Sequence, residues 1–149
     1  MKILEVNGSN DDFVYLCHEL EKFQFNLMPI LKEKGYNLTE GLHDIKGYIL
    51  YVDEKPIGSI GLKKVSNGLC EIVRVFVCEE YRGRGYARIL FDKIENLAKS
   101  LGFESAEIVA WSLAKSAVKL YKKLGYICSE EKDSERYVGL KYVEFLKKF

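Results

Sequence analysis

Histidine is nearly absent. The 149 residues contain two, His18 and His43, and neither stands at a ligand spacing from the other or from a cysteine. The four cysteines, Cys17, Cys70, Cys78 and Cys128, form no C-x-x-C pair. These shortages argue against a structural zinc site or any other metal centre, and free thiols in a reducing compartment are expected. No apolar run approaches the length of a membrane span. The opening "MKILEVNGSNDDF" lacks the apolar centre and small-residue cleavage site of a secretory leader, so a cytoplasmic protein is expected. A dominant charge of either sign is missing too. Twenty-three basic and 22 acidic residues leave a net charge of +1. The molecule as a whole is therefore not drawn to nucleic acid or to an anionic membrane, and any anion site has to be local.

What is present suits one globular domain over 1–149: 48% hydrophobic and 30% charged residues, with no repeats, linkers or low-complexity tracts. "KILEV" (2–6) reads as a short strand. The cap-forming cluster Ser9–Asp12 opens a helix with Phe13, Leu16, Leu20 and Phe23 on one face. A second helix is expected over about 26–34. Residues 47–65 read as two strands about a turn at Asp53–Pro56, and Asn67-Gly68 is a further turn signal. "LCEIVRVFV" (69–77), apolar on both parities, has the pattern of a central strand.

The strongest helix pattern follows, with Ala87, Leu90, Phe91, Ile94, Leu97, Ala98 and Leu101 at intervals of three and four before Gly102. "SAEIVAW" (105–111) is a strand, and Leu113 to Leu124 form a helix stopped by Gly125. "YICSEE" and "RYVGLKYVEFL" close the chain as two more strands. This order predicts an α+β (mixed α/β) domain on one sheet.

Between the central strand and the strongest helix stands Arg82-Gly83-Arg84-Gly85-Tyr86-Ala87, with Arg88 after it. A helix N-terminus offers unpaired N–H groups and partial positive charge. Glycine lets a phosphate reach those groups, and arginine adds full charge. A pyrophosphate is the guest such a turn suits. No G-x-x-x-x-G-K-[ST] string is present, and a dinucleotide fingerprint fails where Arg88 replaces its third glycine. A surface turn with solvated arginines is the plain alternative. The coincidence of strand, glycines, arginines and helix favours the anion site.

Arg82, Gly85 and Ala87 fit the R/Q-x-x-G-x-G/A acyl-CoA signature of the GNAT superfamily of N-acetyltransferases, and "AVKLYKKLGY" (117–126) resembles its A-x-x-L-Y-x-x-L-G-F segment, with Tyr126 at the usual phenylalanine. The two motifs stand in the family's order with a strand between them. The resemblance implies a mostly antiparallel mixed sheet of about seven strands with about four helices, splayed between the fourth and fifth strands. It also implies acetyl-CoA as cosubstrate and an amine as acceptor.

By the same resemblance, the diphosphate rests on the turn Arg82, Gly83, Arg84, Gly85, Tyr86 and Ala87. The pantetheine pairs with Val75, Phe76 and Val77 near a β-bulge, where a backbone N–H polarises the thioester carbonyl as charge builds on its oxygen. Glu71, eleven residues before Arg82 in "EIV", matches a glutamate that serves as base in one branch of the family; a surface ion pair is the competing role. Tyr121 falls at the position of the tyrosine that donates a proton to the leaving thiolate, while a core tyrosine would fit the same helix pattern. The family's asparagine is replaced by Ala114, so Ser112 or Ser116 is expected to take over that cofactor contact. Trp111 lines the tunnel or packs in the core.

Phe23, Phe25, Met28 and Tyr36 line an apolar acceptor site or simply pack. The acidic run Glu130–Glu135 borders the acceptor side, where it would attract a basic acceptor or merely be solvated. The leading reading is an enzyme. A non-catalytic acyl-CoA-binding or sensor module on the same fold is the alternative, and an RNA-binding protein is a third reading that the balanced charge disfavours. Homodimers are common in the family, which leaves a homodimer open.

Overall fold

The first four strands pair in chain order. The computed structural model describes residues 1–149. β1 (Lys2–Asn7), β2 (Lys46–Val52), β3 (Lys55–Ser66) and β4 (Leu69–Val77) are antiparallel neighbours. Asp53 and Glu54 alone make the β2–β3 turn, both at positive φ (51° and 64°), the geometry whose twist suits a two-residue hairpin. The turn is thus shorter than the expected Asp53–Pro56. Lys55 and Pro56 already belong to β3, and Pro56 stands beside a register irregularity, where a missing N–H is tolerated.

β4 leads through the glycine turn into α3 (Tyr86–Ser100), and β5 (Ser105–Trp111) pairs parallel to β4. After α4 (Lys115–Lys123) come β6 (Ile127–Cys128), β7 (Lys132–Asp133) and β8 (Lys141–Lys148). β8 inserts between β5 and β6, giving the order β1-β2-β3-β4-β5-β8-β6, with β7 also paired to β8. The sheet is mixed, with the β4–β5 pair its one parallel contact. The sequence places the last strand from Arg136, but pairing starts at Lys141. Tyr137 and Leu140 instead bury their side chains against Met28 and Leu31, and that packing takes the segment off the sheet.

Asn10 caps α1 (Asp11–Leu27), its side chain accepting from the N–H groups of Asp12 and Phe13. The second helix is shorter than expected. α1 runs on to Leu27, and α2 spans only Pro29–Glu33, with Pro29 in its first turn. α3 and α4 both end with glycine at positive φ, Gly102 and Gly125. In each case the following N–H reaches back to the last turn, Phe103 to Ala98 and Tyr126 to Tyr121.

The sheet carries a core on each face. α3 and α4 bury Leu90, Phe91, Ile94, Ala98 and Tyr121 against Cys70 and Ile72 of β4. Tyr126, at the usual phenylalanine of its motif, packs in this layer and satisfies its hydroxyl on Glu95 at 2.7 Å, which Lys147 holds in turn at 3.0 Å. On the other face α1 buries Phe13, Leu16, Cys17 and Leu20 against Val73 and Phe76. Phe13 reaches the sheet because Gly47 and Gly61, partners across β2 and β3, have no Cβ. A Cβ on Gly47 would come within 2.8 Å of the Phe13 ring and 2.5 Å of the Ile60 carbonyl oxygen. Gly47→Ala should therefore destabilise the fold by about 1–3 kcal/mol in urea unfolding. A change below about 0.5 kcal/mol would show that α1 docks without this close approach.

Candidate active site

β4 and β5 pair only at Leu69–Ser105, Cys70–Ala106 and Glu71–Glu107. Beyond Glu71 the two strands part. The cause lies in β4. Gly61 faces Val73 while Ser59 faces Phe76, so β4 carries one residue more than β3 over this stretch. Arg74 takes up the excess at φ 56°. A bulge bends and twists its strand. Two side-chain bonds hold it: Ser59 Oγ donates to the Arg74 carbonyl, and Arg74 Nε donates to the Leu38 carbonyl, both at 2.9 Å. The bulge thus lies one residue before Val75–Val77, the stretch expected to pair with the pantetheine.

The parting strands enclose a cavity of about 990 Å³. Its α3 side is the glycine turn. Gly83 and Gly85 both have positive φ (77° and 82°), and a Cβ on either would meet nothing within 4 Å. Gly85 stands immediately before α3, so the turn opens on unpaired helix N–H groups. Arg82 folds back: its Nε donates to the Val77 carbonyl at 2.8 Å, and its guanidinium lies over the Phe23 ring at 4.6 Å. That contact ties the turn to α1. Holding a β-branched residue at a φ of 82° costs about 1–2 kcal/mol. Gly85→Val should weaken CoA binding roughly five- to thirtyfold in calorimetric titration. An unchanged Kd would remove the turn from the cofactor site.

Tyr121 projects from α4 into the same cavity. Its ring packs on Phe91 (5.6 Å) and Phe145 (5.4 Å). Burial pushes the phenol well above the ordinary tyrosine value, with no neighbouring charge or hydrogen bond opposing it. The group stays protonated. Glu71, the last residue of β4 paired with β5, also lines the cavity and lies 3.6 Å from Lys63 Nζ.

Glu107, opposite Glu71 across the parallel pair, was not picked out by the sequence. Burial, then the charges of Glu71 and Glu144, hold its carboxyl above the usual range. No sequence signal marks Glu107, because its neighbours arrive from other strands. Arg74 was missed as well, although an arginine inside an apolar central strand is itself a signal.

Most residues expected at the cofactor converge on the cavity: Val75, Phe76, Val77, Arg82, Gly83, Gly85, Tyr86 and Ala87 all line it. Two do not. Arg84 turns out of the cavity and stacks over Tyr81 at 5.4 Å. Ser112 has its hydroxyl buried without a partner, away from the cavity wall, while its N–H is bonded to the Lys141 carbonyl. Ser116 and Ala114 do line the cavity.

On the α1 side, Phe23 and Tyr36 reach the cavity, whereas Phe25 and Met28 pack behind it. Trp111 does both: it lines the cavity and meets Tyr36 and Tyr137 edge-on at 6.2 and 5.7 Å. In the acidic run, Glu131 and Asp133 lie within 4 Å of Lys141. No helix is long and apolar enough to cross a membrane.

A sequence model of the acetyltransferase (GNAT) family matches residues 14–126. An uncharacterized N-acetyltransferase of Methanocaldococcus jannaschii is 32% identical over 129 residues, 83% of this chain and 51% of its own length. The chain thus spans about half the length of that curated relative. Two solved structures share the fold. The paia N-acetyltransferase of Thermoplasma acidophilum in complex with coenzyme A superposes with a TM-score of 0.73 at 18% identity over 100% of both chains. A GNAT family acetyltransferase of Elizabethkingia anophelis with acetyl-CoA bound gives 0.70 at 12% identity, over 99% of this chain and 97% of its own. The family match takes in the splayed strand, the glycine turn and the helix of Tyr121 together, and the chain belongs to the GNAT family of acetyltransferases.

Proposed function

We propose that the chain moves an acetyl group from acetyl-CoA to the amine of a small molecule, peptide or protein, by direct attack within a ternary complex. One observation carries this reading: a single cavity is lined by the open glycine turn, the bulged edge of β4 and Tyr121. The turn would hold the diphosphate and the edge Val75–Val77 the pantetheine. The amine arrives protonated, with an ordinary pKa of roughly 10 for a lysine. Glu71, directly or through water, takes that proton. As the new C–N bond forms and the C–S bond breaks, Tyr121 donates to the leaving sulfur, and the second proton shed by the nitrogen passes through solvent to restore the phenol.

Neither proton transfer requires a metal ion. Free acetyl-CoA is an intracellular metabolite, which supports a cytoplasmic location. The test is acetyl-CoA-dependent thiol release across a panel of amines and peptides, beside thermal unfolding with and without CoA. Turnover with at least one amine and a CoA-dependent rise in Tm are expected. Stabilisation by CoA without thiol release from any acceptor would replace the enzyme with a binding module.

A further inference from the structure

Seven charged residues line the cavity, and their distribution is uneven: Glu71 is the single acid, against Arg74, Arg82, Arg88, Lys115, Lys123 and Arg136. Arg82 and Arg88 flank the glycine turn, and both lysines come from α4, so these four stand on the cofactor side. The acceptor side keeps Arg74 and Arg136. Arg74 takes part in none of the chain's ion pairs. Glu21, on the same side of the sheet, is already committed: one carboxylate oxygen accepts from Leu38 N–H at 2.6 Å and the other lies 3.2 Å from His18 Nδ1. Nε of Arg74 is spent on Leu38 and the guanidinium also lies against the Cys17 thiol, which fixes it beside the cavity without a carboxylate partner. A half-buried, oriented and unpaired guanidinium is built for a carboxylate. The same cavity carries Tyr36, Trp111 and Tyr137, an edge-to-face aromatic wall, with the Arg136 guanidinium over the Tyr137 ring at 5.3 Å.

Resting on the acetyl-transfer reading above, we infer that the acceptor is a small amino acid-like molecule, its carboxylate on Arg74 and its large apolar or aromatic body against Tyr36, Trp111 and Tyr137. A polycation would meet two arginines here and a single carboxylate already paired with Lys63. The acidic run offers it little more, since Glu131 and Asp133 are partly neutralised by Lys141. The reaction balances as amine plus acetyl-CoA giving the N-acetyl amino acid plus CoA thiol. The amine's proton leaves to the base, and the sulfur gains one from the acid.

The experiment measures kcat/KM for thiol release with L-phenylalanine, its carboxamide, 2-phenylethylamine and spermidine, in wild type, Arg74→Gln and Arg74→Lys. L-phenylalanine should exceed its amide and the decarboxylated amine by about tenfold or more. Arg74→Gln should erase that preference through KM for the acceptor and leave KM for acetyl-CoA in place. Arg74→Lys should keep part of it. Equal or better turnover of the amide or spermidine overturns the carboxylate site while acetyl transfer stands. Silence from all four amines despite CoA binding overturns the amino acid-like acceptor, and the wider panel of amines and peptides then decides acetyl transfer itself. If the Arg74 variants do not fold, the wild-type ratio of acid to amide decides alone.

Discussion

Tyr121→Phe is expected to lower kcat by about 10²-fold or more, with KM for acetyl-CoA within a factor of about two of wild type. The variant removes one oxygen and keeps the ring that Phe91 and Phe145 clasp. Stability should not fall. The hydroxyl makes no hydrogen bond to the protein and is not among its buried unpartnered polar atoms, so its removal breaks no contact of the fold. A matching Tm therefore separates lost chemistry from lost structure.

The pH profile supplies a second readout. Because burial raises the phenol pKa, Tyr121 ionises only above the ordinary tyrosine value of 10.0. In wild type it should not produce a falling limb of kcat between pH 8 and its own ordinary value. The sign for stability follows from the same shift. The folded state holds this proton more tightly than the unfolded chain, so the contribution is complete below the unfolded value and is lost as pH rises above it. Cys17 and Cys70, pushed by burial from 9.0 to about 11, add losses that begin earlier. Unfolding midpoints should decline from about pH 9 upward. A Tyr121→Phe enzyme with wild-type kcat would remove the hydroxyl from the mechanism.

Phe91→Ala should destabilise the protein by about 3–5 kcal/mol. Phe91 is 1% exposed and contacts the rings of both Tyr121 and Tyr126. The cavity left behind opens directly beneath the proposed proton donor. For a chain of this length such a loss corresponds to a Tm lower by roughly 10 °C. Turnover should fall as well, measured at a temperature where the variant is still folded, because Tyr121 loses one of the rings that fix its rotamer. Phe91→Leu fills most of the space and should cost less than about 1.5 kcal/mol. If Phe91→Ala lost less than about 1 kcal/mol, the α3–α4 layer would not be the support that the buried contacts describe.

Much of this architecture was legible along the chain. The strands 69–77 and 105–111 run over the residues their patterns indicate, and both long glycine-stopped helices end where expected. Local signals suffice there, because hydrophobic period, caps and turn glycines all agree. The glycine turn before α3 was legible for the same reason: its glycines carry a conformational requirement that no other residue meets as easily. The end of the chain was misread because Tyr137 and Leu140 look like strand residues until Met28 and Leu31 supply another surface for them. Ser112 was misread because the hydroxyl's direction depends on how the end of β5 is pinned to Lys141.

Sequence by itself therefore determined the kind of molecule: one mixed sheet, a glycine- and arginine-rich turn at the mouth of a helix, and a tyrosine motif downstream. Tertiary structure decided what those parts face. Arg74 adopts a positive φ because Ser59 and Leu38, distant in the chain, hold it there. That bulge splits β4 from β5 and opens the cavity. Register alone brings Glu107 against Glu71. Backbone preference is encoded within a few residues, whereas strand parting and charge pairing arise only when segments far apart in sequence meet.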